Sequence, residues 1–168
     1  SADVLSAEHQ KVILPDLAAG CSMADMAVLD ELEVCWDELS EMGITDVVPV
    51  TYMNSAASIK AFCGQHGGTV CTSSNAVATF QWAWNRGARI LFLPDQHLGR
   101  NTAFGMGVAL QQMCVWDPNV TWGGSEPSEL HAARMILWKG HCSVHTKFTV
   151  EQIERLRASH PDIRIISH

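Results

Sequence analysis

The stretch ILWKGHCSVHTKF, residues 136 to 148, holds three side chains that can bind metals or take part in catalysis: His141, Cys142 and His145. Thiolate and imidazole are both good ligands for zinc and iron. Their spacing fits no standard zinc finger, and none of the six cysteines belongs to a CxxC pair, so a zinc ribbon is not indicated. From the residues alone, metal binding and a buried structural cysteine remain open alternatives for Cys142.

A second candidate is the tetrapeptide TSSN at 72 to 75, which lies between a short apolar run and an alanine-rich stretch. The hydroxyls of Thr72 and Ser73, together with the free N–H groups at a helix start, suit a carboxylate or a phosphate. Serine and asparagine are also preferred helix caps, so a plain N-cap is the alternative interpretation.

Two further sites carry groups that can do chemistry. Tyr52, the only tyrosine, and Asn54 follow an apolar run, and a phenol there is either a general acid or base or a packed ring. In PDQHLGR, Asp95, His97 and Arg100 can form an orienting salt network or contact an ionic substrate, and a structural role is favoured for Asp95.

These residues are positioned by short apolar runs that alternate with helical stretches. Strands are predicted at 11–16, 46–53, 69–72, 89–95, 134–140 and 163–167. Helices are predicted from about Ser22 to Gly43, at 54–68, at 76–87, and at 149–160, where Thr149 and Gln152 match a capping box. The alternation predicts an α/β fold with parallel sheets and helices on both faces, interrupted by a partly irregular excursion over 101–133.

In open parallel sheets, ligands collect where strands end and helices begin. Tyr52 and Thr72 end predicted strands, and Cys21, Cys142 and His168 follow predicted strands. The rule therefore selects these residues as candidates for a ligand site.

The composition limits the class of partner. The 168 residues are 47% hydrophobic and carry a formal net charge of −7, which speaks against nucleic acid and anionic membrane surfaces. There is no apolar run long enough to span a membrane and no signal-peptide pattern at the start, so a cytoplasmic location is expected. Six cysteines in such a chain favour free thiols, metal or redox chemistry over disulfides.

Six motifs, in order across nearly the whole chain, resemble quinolinate synthase, the A protein of de novo NAD biosynthesis. They are VILPDLAAGCSMAD, VTYMNSAASIKA, CTSSNA, FLPDQHLGRNTA, KGHCSVHTKF and PDIRIISH. The resemblance implies three αβα domains around a pseudo-threefold axis, of which this chain would hold an incomplete set. Residues 1–45 would be the remainder of the first domain with a linking helix, 46–145 the second domain, and 146–168 the start of the third.

The resemblance also implies a [4Fe-4S] cluster at the centre, with Cys21 and Cys142 as two of its three ligands, the third lying after His168. Three thiolates for four irons leave one iron open to substrate. The implied reaction condenses iminoaspartate with dihydroxyacetone phosphate to quinolinate, with a functional link to L-aspartate oxidase. Tyr52 and His168 would be catalytic and would also bind substrate.

By the same resemblance, Asn54, Thr72 and Ser73 would bind substrate carboxylates or the phosphate. Part of the family's pocket is missing, so this chain alone is expected to be inactive. Two alternatives stay open. In the first, the chain would be a cluster-free α/β domain that binds anions without catalysis. In the second, Cys21 and Cys142 would pair as a regulatory disulfide when no cluster is bound.

Overall fold

The fold is seen in a computed structural model of the chain, which describes residues 2–16 and 18–166. Its five strands are β1 (Val47–Tyr52), β2 (Thr69–Cys71), β3 (Arg89–Leu93), β4 (Met113–Trp116) and β5 (Met135–Trp138). Its seven helices are α1 (Ala2–Leu5), α2 (Leu29–Glu41), α3 (Ala57–Gln65), α4 (Ala76–Trp84), α5 (Gln96–Gly105), α6 (Pro127–Ala132) and α7 (Val150–Ser159). None of these described helices is long and apolar enough to cross a membrane.

The strands form one parallel sheet in the order β2-β1-β3-β5-β4. Thr51 of β1 pairs with Leu93 of β3, and Trp116 of β4 pairs with Trp138 of β5. Because the register aligns the last residues of neighbouring strands, the carboxyl ends of the strands meet at one edge of the sheet. This confirms the expectation of a parallel α/β fold.

Apolar residues alternate between the two faces of each central strand, as the period of a strand requires. Leu91 and Leu93 of β3 point to an apolar layer with α2, α3 and α6, whereas Ile90 and Phe92 point to a layer with α4 and α5. The result is a three-layer αβα sandwich in which both faces of the sheet are buried. Burial on both faces explains why these strands read as continuous apolar runs.

The segment over 101–133, predicted as a partly irregular excursion, is more regular than expected. It contains the end of α5, all of β4 and α6. Strand β4 has only four residues, and it is stabilised by its pairing with β5 and by Trp116, which is 2% exposed. A run this short between glycines and prolines carries almost no local signal, so tertiary pairing decides its structure.

The strands predicted at both ends of the chain were wrong. Residues 11–16 are exposed and form no strand, with Ile13 82% exposed, and residues 163–166 are likewise exposed without strand structure. Apolar character alone does not make a strand, because a strand also needs a partner for its backbone hydrogen bonds. Residue 167 of the second predicted strand lies outside the described residues.

The helix predicted from Ser22 begins later. The structure has one 3-10 turn at Ala24–Met26, and α2 starts at Leu29. Ser22 is not a cap, because its hydroxyl is bonded to Ser143 instead. Helix α7 does begin with the predicted capping box of Thr149 and Gln152, which confirms that prediction. The proposed domain boundaries at 45 and 145 stay a prediction, although α2 packs on the sheet of the strands that follow it.

Candidate functional site

The strand order creates a crevice at the carboxyl edge of the sheet. The chain runs from β1 outward to β2 and then returns to β3 on the other side of β1, so the direction reverses between β1 and β3. In open α/β sheets, ligands bind at such a reversal point, beyond the carboxyl ends of the strands. The predicted site residues on the β1 and β2 loops lie beside this point.

The loops that carry Cys21 and Cys142 lie against each other. The hydroxyl oxygens of Ser22 and Ser143, which directly follow the two cysteines, are 2.7 Å apart and share a hydrogen bond. Since neighbouring Cα atoms are 3.8 Å apart, the Cα atoms of Cys21 and Cys142 lie within about 15 Å of each other. Two residues that are 121 positions apart in the sequence are thus joined at the edge of the sheet.

The six cysteines fall into two classes. Cys21 is exposed and Cys142 is half-buried, and both thiols are free. The other four are buried, and burial raises the pKa of the thiols of Cys63, Cys71 and Cys114 to about 12 and that of Cys35 well above its ordinary value. A metal ligand must be a deprotonated thiolate that the metal can reach, so only Cys21 and Cys142 suit that role. The prediction that Cys35, Cys63 and Cys114 serve packing is confirmed.

This pair of thiols fits part of an iron–sulfur ligand set. No group of three potential metal-ligating His, Cys, Asp or Glu side chains occurs among residues 2–16 and 18–166. His141 and His145 flank Cys142, but His145 is exposed in a 3-10 turn at His145–Lys147. The described residues therefore supply two accessible thiols and no complete metal centre.

Tyr52 and Asn54 are placed as the sequence predicts. Tyr52 is the last residue of β1 and is half-buried, while Asn54 is exposed in the loop that leads to α3. Tyr52 pairs in register with Cys71, the residue before Thr72, so the phenol-bearing strand end lies directly beside the TSSN loop. The two candidate substrate-binding segments are neighbours along the same edge.

The TSSN loop differs from the plain N-cap that was its alternative interpretation. Asn75 stands at the cap position of α4, but its side chain makes no hydrogen bond to the helix backbone. Instead, its Oδ1 accepts from the backbone N–H of Thr72 at 2.7 Å and from the Thr72 hydroxyl at 3.1 Å. The Thr72 hydroxyl also lies 2.9 Å from that of Ser74. The loop is thus closed on itself, and the first turn of α4 keeps its N–H groups available to an anion.

Asp95 has the structural role that was favoured for it. Its Oδ1 accepts from the backbone N–H of Leu98 at 2.7 Å, which caps α5, and the residue is 6% exposed. Arg100 donates to Gln96 at 3.0 Å within the same helix. The sequence did not predict α5, because Gly99 and Gly105 lower its helix propensity; Gly99 is required where α5 packs closely on Phe92 and Leu137.

A charged cleft of about 380 Å³ at the ends of β4 and β5 was missed by sequence reasoning. Its charged and titratable lining residues are Asp25, Glu31, Asp117, Lys139 and His141. Lys139 and Asp117 form an ion pair at 2.5 Å, and the hydrogen bond from Lys139 holds the pKa of Asp117 at about 2. Asp117 follows β4, which carried no usable sequence signal, so its place at this edge could not be anticipated.

His168, predicted to be catalytic, lies outside the described residues. The roles of Tyr52, Asn54, Thr72, Ser73, Cys21 and Cys142 remain predictions that the geometry accommodates.

The sequence model of the quinolinate synthetase A protein family matches residues 1–168. A quinolinate synthase of Corynebacterium glutamicum is 57% identical over 169 residues, covering 100% of this chain and 43% of the relative. A quinolinate synthase of Acidobacterium capsulatum is 58% identical over 170 residues, covering 100% of this chain and 46% of the relative.

A quinolinate synthase of Bacillus anthracis is 51% identical over 168 residues, covering 100% of this chain and 45% of the relative. The chain therefore spans less than half the length of these curated relatives. A match to the family over every residue, in a chain that folds as a parallel αβα sandwich, confirms the resemblance carried by the six motifs: the chain belongs to the quinolinate synthetase A protein family.

Proposed function

We propose that this chain is part of a quinolinate synthase that condenses iminoaspartate with dihydroxyacetone phosphate, losing phosphate and water, to give quinolinate for NAD biosynthesis. The proposal rests on the family membership and on one observation above all. The Ser22–Ser143 hydrogen bond brings together the loops of the two accessible cysteines, as a shared ligand site requires.

Cys21 and Cys142 would hold a [4Fe-4S] cluster. The third thiolate would come from a region of the protein that corresponds to the part of the relatives beyond this chain. When bound, the cluster would supply an open iron that acts as a Lewis acid toward a substrate oxygen. Both thiols lie at the carboxyl edge of the sheet, where the substrate-binding loops also lie. The buried positions of the other four cysteines keep them out of this role.

The chain's own residues would bind and orient the substrates. The Ser73 hydroxyl and the N–H groups of the first turn of α4 would take a carboxylate or the phosphate, because they present donors at the positive end of a helix. Thr72, whose hydroxyl donates to Asn75 in the free loop, would join them by turning its O–H toward the anion. Asn54 would add a side-chain amide from the neighbouring loop. Tyr52, half-buried between these loops, would donate and accept the proton in the isomerisation and dehydration steps.

The ligand assignment is tested by iron and sulfide analysis after anaerobic reconstitution of the full-length protein. We expect about four irons in the parent and a loss of most of them in Cys21→Ser and Cys142→Ser. Cys71→Ser is the matched control, because Cys71 is buried beside the substrate loops and is not a ligand in this proposal. Full iron content in Cys21→Ser or Cys142→Ser, or its loss in the control, would show that the assignment is incorrect.

The substrate roles need a separate assay of quinolinate formation. Tyr52→Phe should lower kcat at least 100-fold with little change in KM, because it removes the phenol hydroxyl that transfers the proton and keeps the aromatic ring. Ser73→Ala should mainly raise KM for the substrate whose anionic group it binds. Tight binding of these substrates without any turnover in the reconstituted parent would favour the anion-binding alternative.

A further inference from the structure

Met26 joins the segment that carries Cys21 to the end of β5 through two hydrogen bonds and one close approach to Gly140. Its carbonyl oxygen accepts a hydrogen bond of 2.6 Å from the indole N–H of Trp138. Its Sδ accepts from the backbone N–H of His141 at 3.2 Å. Its Cβ lies 3.4 Å from the position that a Cβ on Gly140 would occupy. We call these contacts of Met26 with Trp138, Gly140 and His141 the Met26 anchor.

The segment around Cys21 has little regular structure of its own to hold it in place. The backbone N–H groups of Ala24 and Asp25 donate to the carbonyl of Cys21, which makes a single 3-10 turn that leads directly into Met26. Met23 and Ala27 are buried and add apolar packing on either side of the turn. Cys21 is thus connected through one short turn to the Met26 anchor.

The anchor and the Ser22–Ser143 hydrogen bond fix the segment at two points. Both points lie on the same partner, the residues from Trp138 to Ser143 that run from β5 into the Cys142 loop. Fixing residues 22 to 26 at both ends removes most of their conformational freedom, and Cys21 directly precedes the first fixed residue, so little entropy is left to lose when a ligand binds there. Trp138 is the rigid element of this arrangement, since it is fully buried in the sheet.

We propose that the Met26 anchor positions Cys21 opposite Cys142 before any metal binds, and that Trp138 is a positioning residue for the Cys21 thiolate. The importance of this position for cluster binding rests on the proposed function, whereas the positioning itself is a property of the metal-free protein. The two claims can therefore be tested separately.

The positioning is tested by hydrogen exchange of the metal-free protein with Trp138→Phe, which removes the indole N–H and keeps an aromatic ring. The carbonyl of Met26 then loses its buried donor, and we expect the amides of residues 21–27 to exchange about tenfold faster. Met26→Leu is a second variant that keeps the volume and removes the sulfur acceptor, and it should have a smaller effect in the same amides.

The matched control is Trp116→Phe. Trp116 is also buried, pairs with Trp138 across β4 and β5, and packs on Gly123. Its replacement by phenylalanine removes a comparable amount of core packing but leaves the Trp138–Met26 hydrogen bond in place. Exchange in residues 21–27 that rises no more in Trp138→Phe than in Trp116→Phe would overturn the proposal, since the tryptophan would then serve only the core.

A second readout connects the anchor to the cluster. In the reconstituted full-length protein, Trp138→Phe should release iron to a chelator about tenfold faster than Trp116→Phe, as expected when a group that orients a ligand is lost. Equal release rates would overturn the role of Trp138 toward the cluster. If exchange in residues 21–27 rises selectively in Trp138→Phe but the reconstituted parent protein binds no iron, the positioning is supported and the proposed function is refuted.

Discussion

Gly140 and Pro94 approach so closely that no side chain fits between them. A Cβ on Gly140 would lie 1.8 Å from the carbonyl oxygen of Pro94, whereas ordinary contact begins near 3.4 Å. In Gly140→Ala, the loops after β3 and β5 must therefore separate by about 1.6 Å, because a Cβ is fixed to its own backbone and the atom it meets is a backbone carbonyl oxygen. The same separation would break the hydrogen bond of 3.1 Å from the Gln96 N–H to the Gly140 carbonyl.

The expected loss of stability follows from these two effects. Overpacking in a close-packed region costs about 1 to 3 kcal/mol, and a lost hydrogen bond adds about 1 kcal/mol, so Gly140→Ala should lose roughly 3 kcal/mol. Urea denaturation measures this as a lower midpoint with an unchanged slope. A loss below about 0.5 kcal/mol would refute the reasoning, since it would mean that the loops separate freely.

Gly64→Ala is the matched control for this measurement. Gly64 lies in α3, and a Cβ there would meet no atom within 4 Å. Alanine in an open helical position stabilises by about 0.5 to 1 kcal/mol relative to glycine. The two substitutions are chemically identical, so opposite signs in one urea series would isolate the steric contribution at Gly140.

The ion pair of Lys139 and Asp117 makes stability depend on pH in acid. The hydrogen bond from Lys139 lowers the folded-state pKa of Asp117 to about 2, so its contribution is complete above the unfolded-state pKa of about 3.9 and disappears as the pH falls through 2. After allowance for solvent screening, Lys139→Met should lower the free energy of unfolding by about 1 kcal/mol at pH 7. It should also reduce the loss of stability between pH ~4 and ~2. Urea denaturation at several pH values measures both, and the same loss of stability with pH in parent and variant would contradict the prediction. Alkylation of the metal-free protein with iodoacetamide near pH 8 should modify Cys21 first and Cys142 next, as mass spectrometry of peptides would show. The four buried cysteines are Cys35, Cys63, Cys71 and Cys114. Comparable labelling of their thiols in the folded protein would mean that burial does not protect them.

Much of the sheet could be predicted from local sequence because its central strands are buried on both faces. Strands β1 and β3 are continuous apolar runs that end at turn residues, and the structure places them within one or two residues of the prediction. The run KVIL at 11–14 has the same local character but remains exposed, because pairing with a sheet is a property of the whole fold. Strand β4 shows the converse case, in which pairing stabilises a segment with weak local preference.

The candidate site divides in a similar way. The rule that ligands bind beyond the carboxyl ends of parallel strands selected Tyr52 and the TSSN loop from local pattern alone. The contact between Ser22 and Ser143 could not be predicted in this way, because it joins segments 121 residues apart and the Cys21 segment follows no strand in the structure. Only the family resemblance linked Cys21 with Cys142 in advance, and the charged cleft at Asp117 had no signal at all.

The strand order also sets the distance between two candidate binding loops along the carboxyl edge. Tyr52 ends β1 and the Cys142 loop follows β5, and the single strand β3 separates them. Neighbouring strands are about 4.8 Å apart, so the two strand ends are separated by about 10 Å. A molecule that touches both must reach across this gap, which is about the length of a small metabolite with a chain of several atoms. Insertion of one more strand between β1 and β5 would add about 5 Å to the gap and would select for a longer ligand.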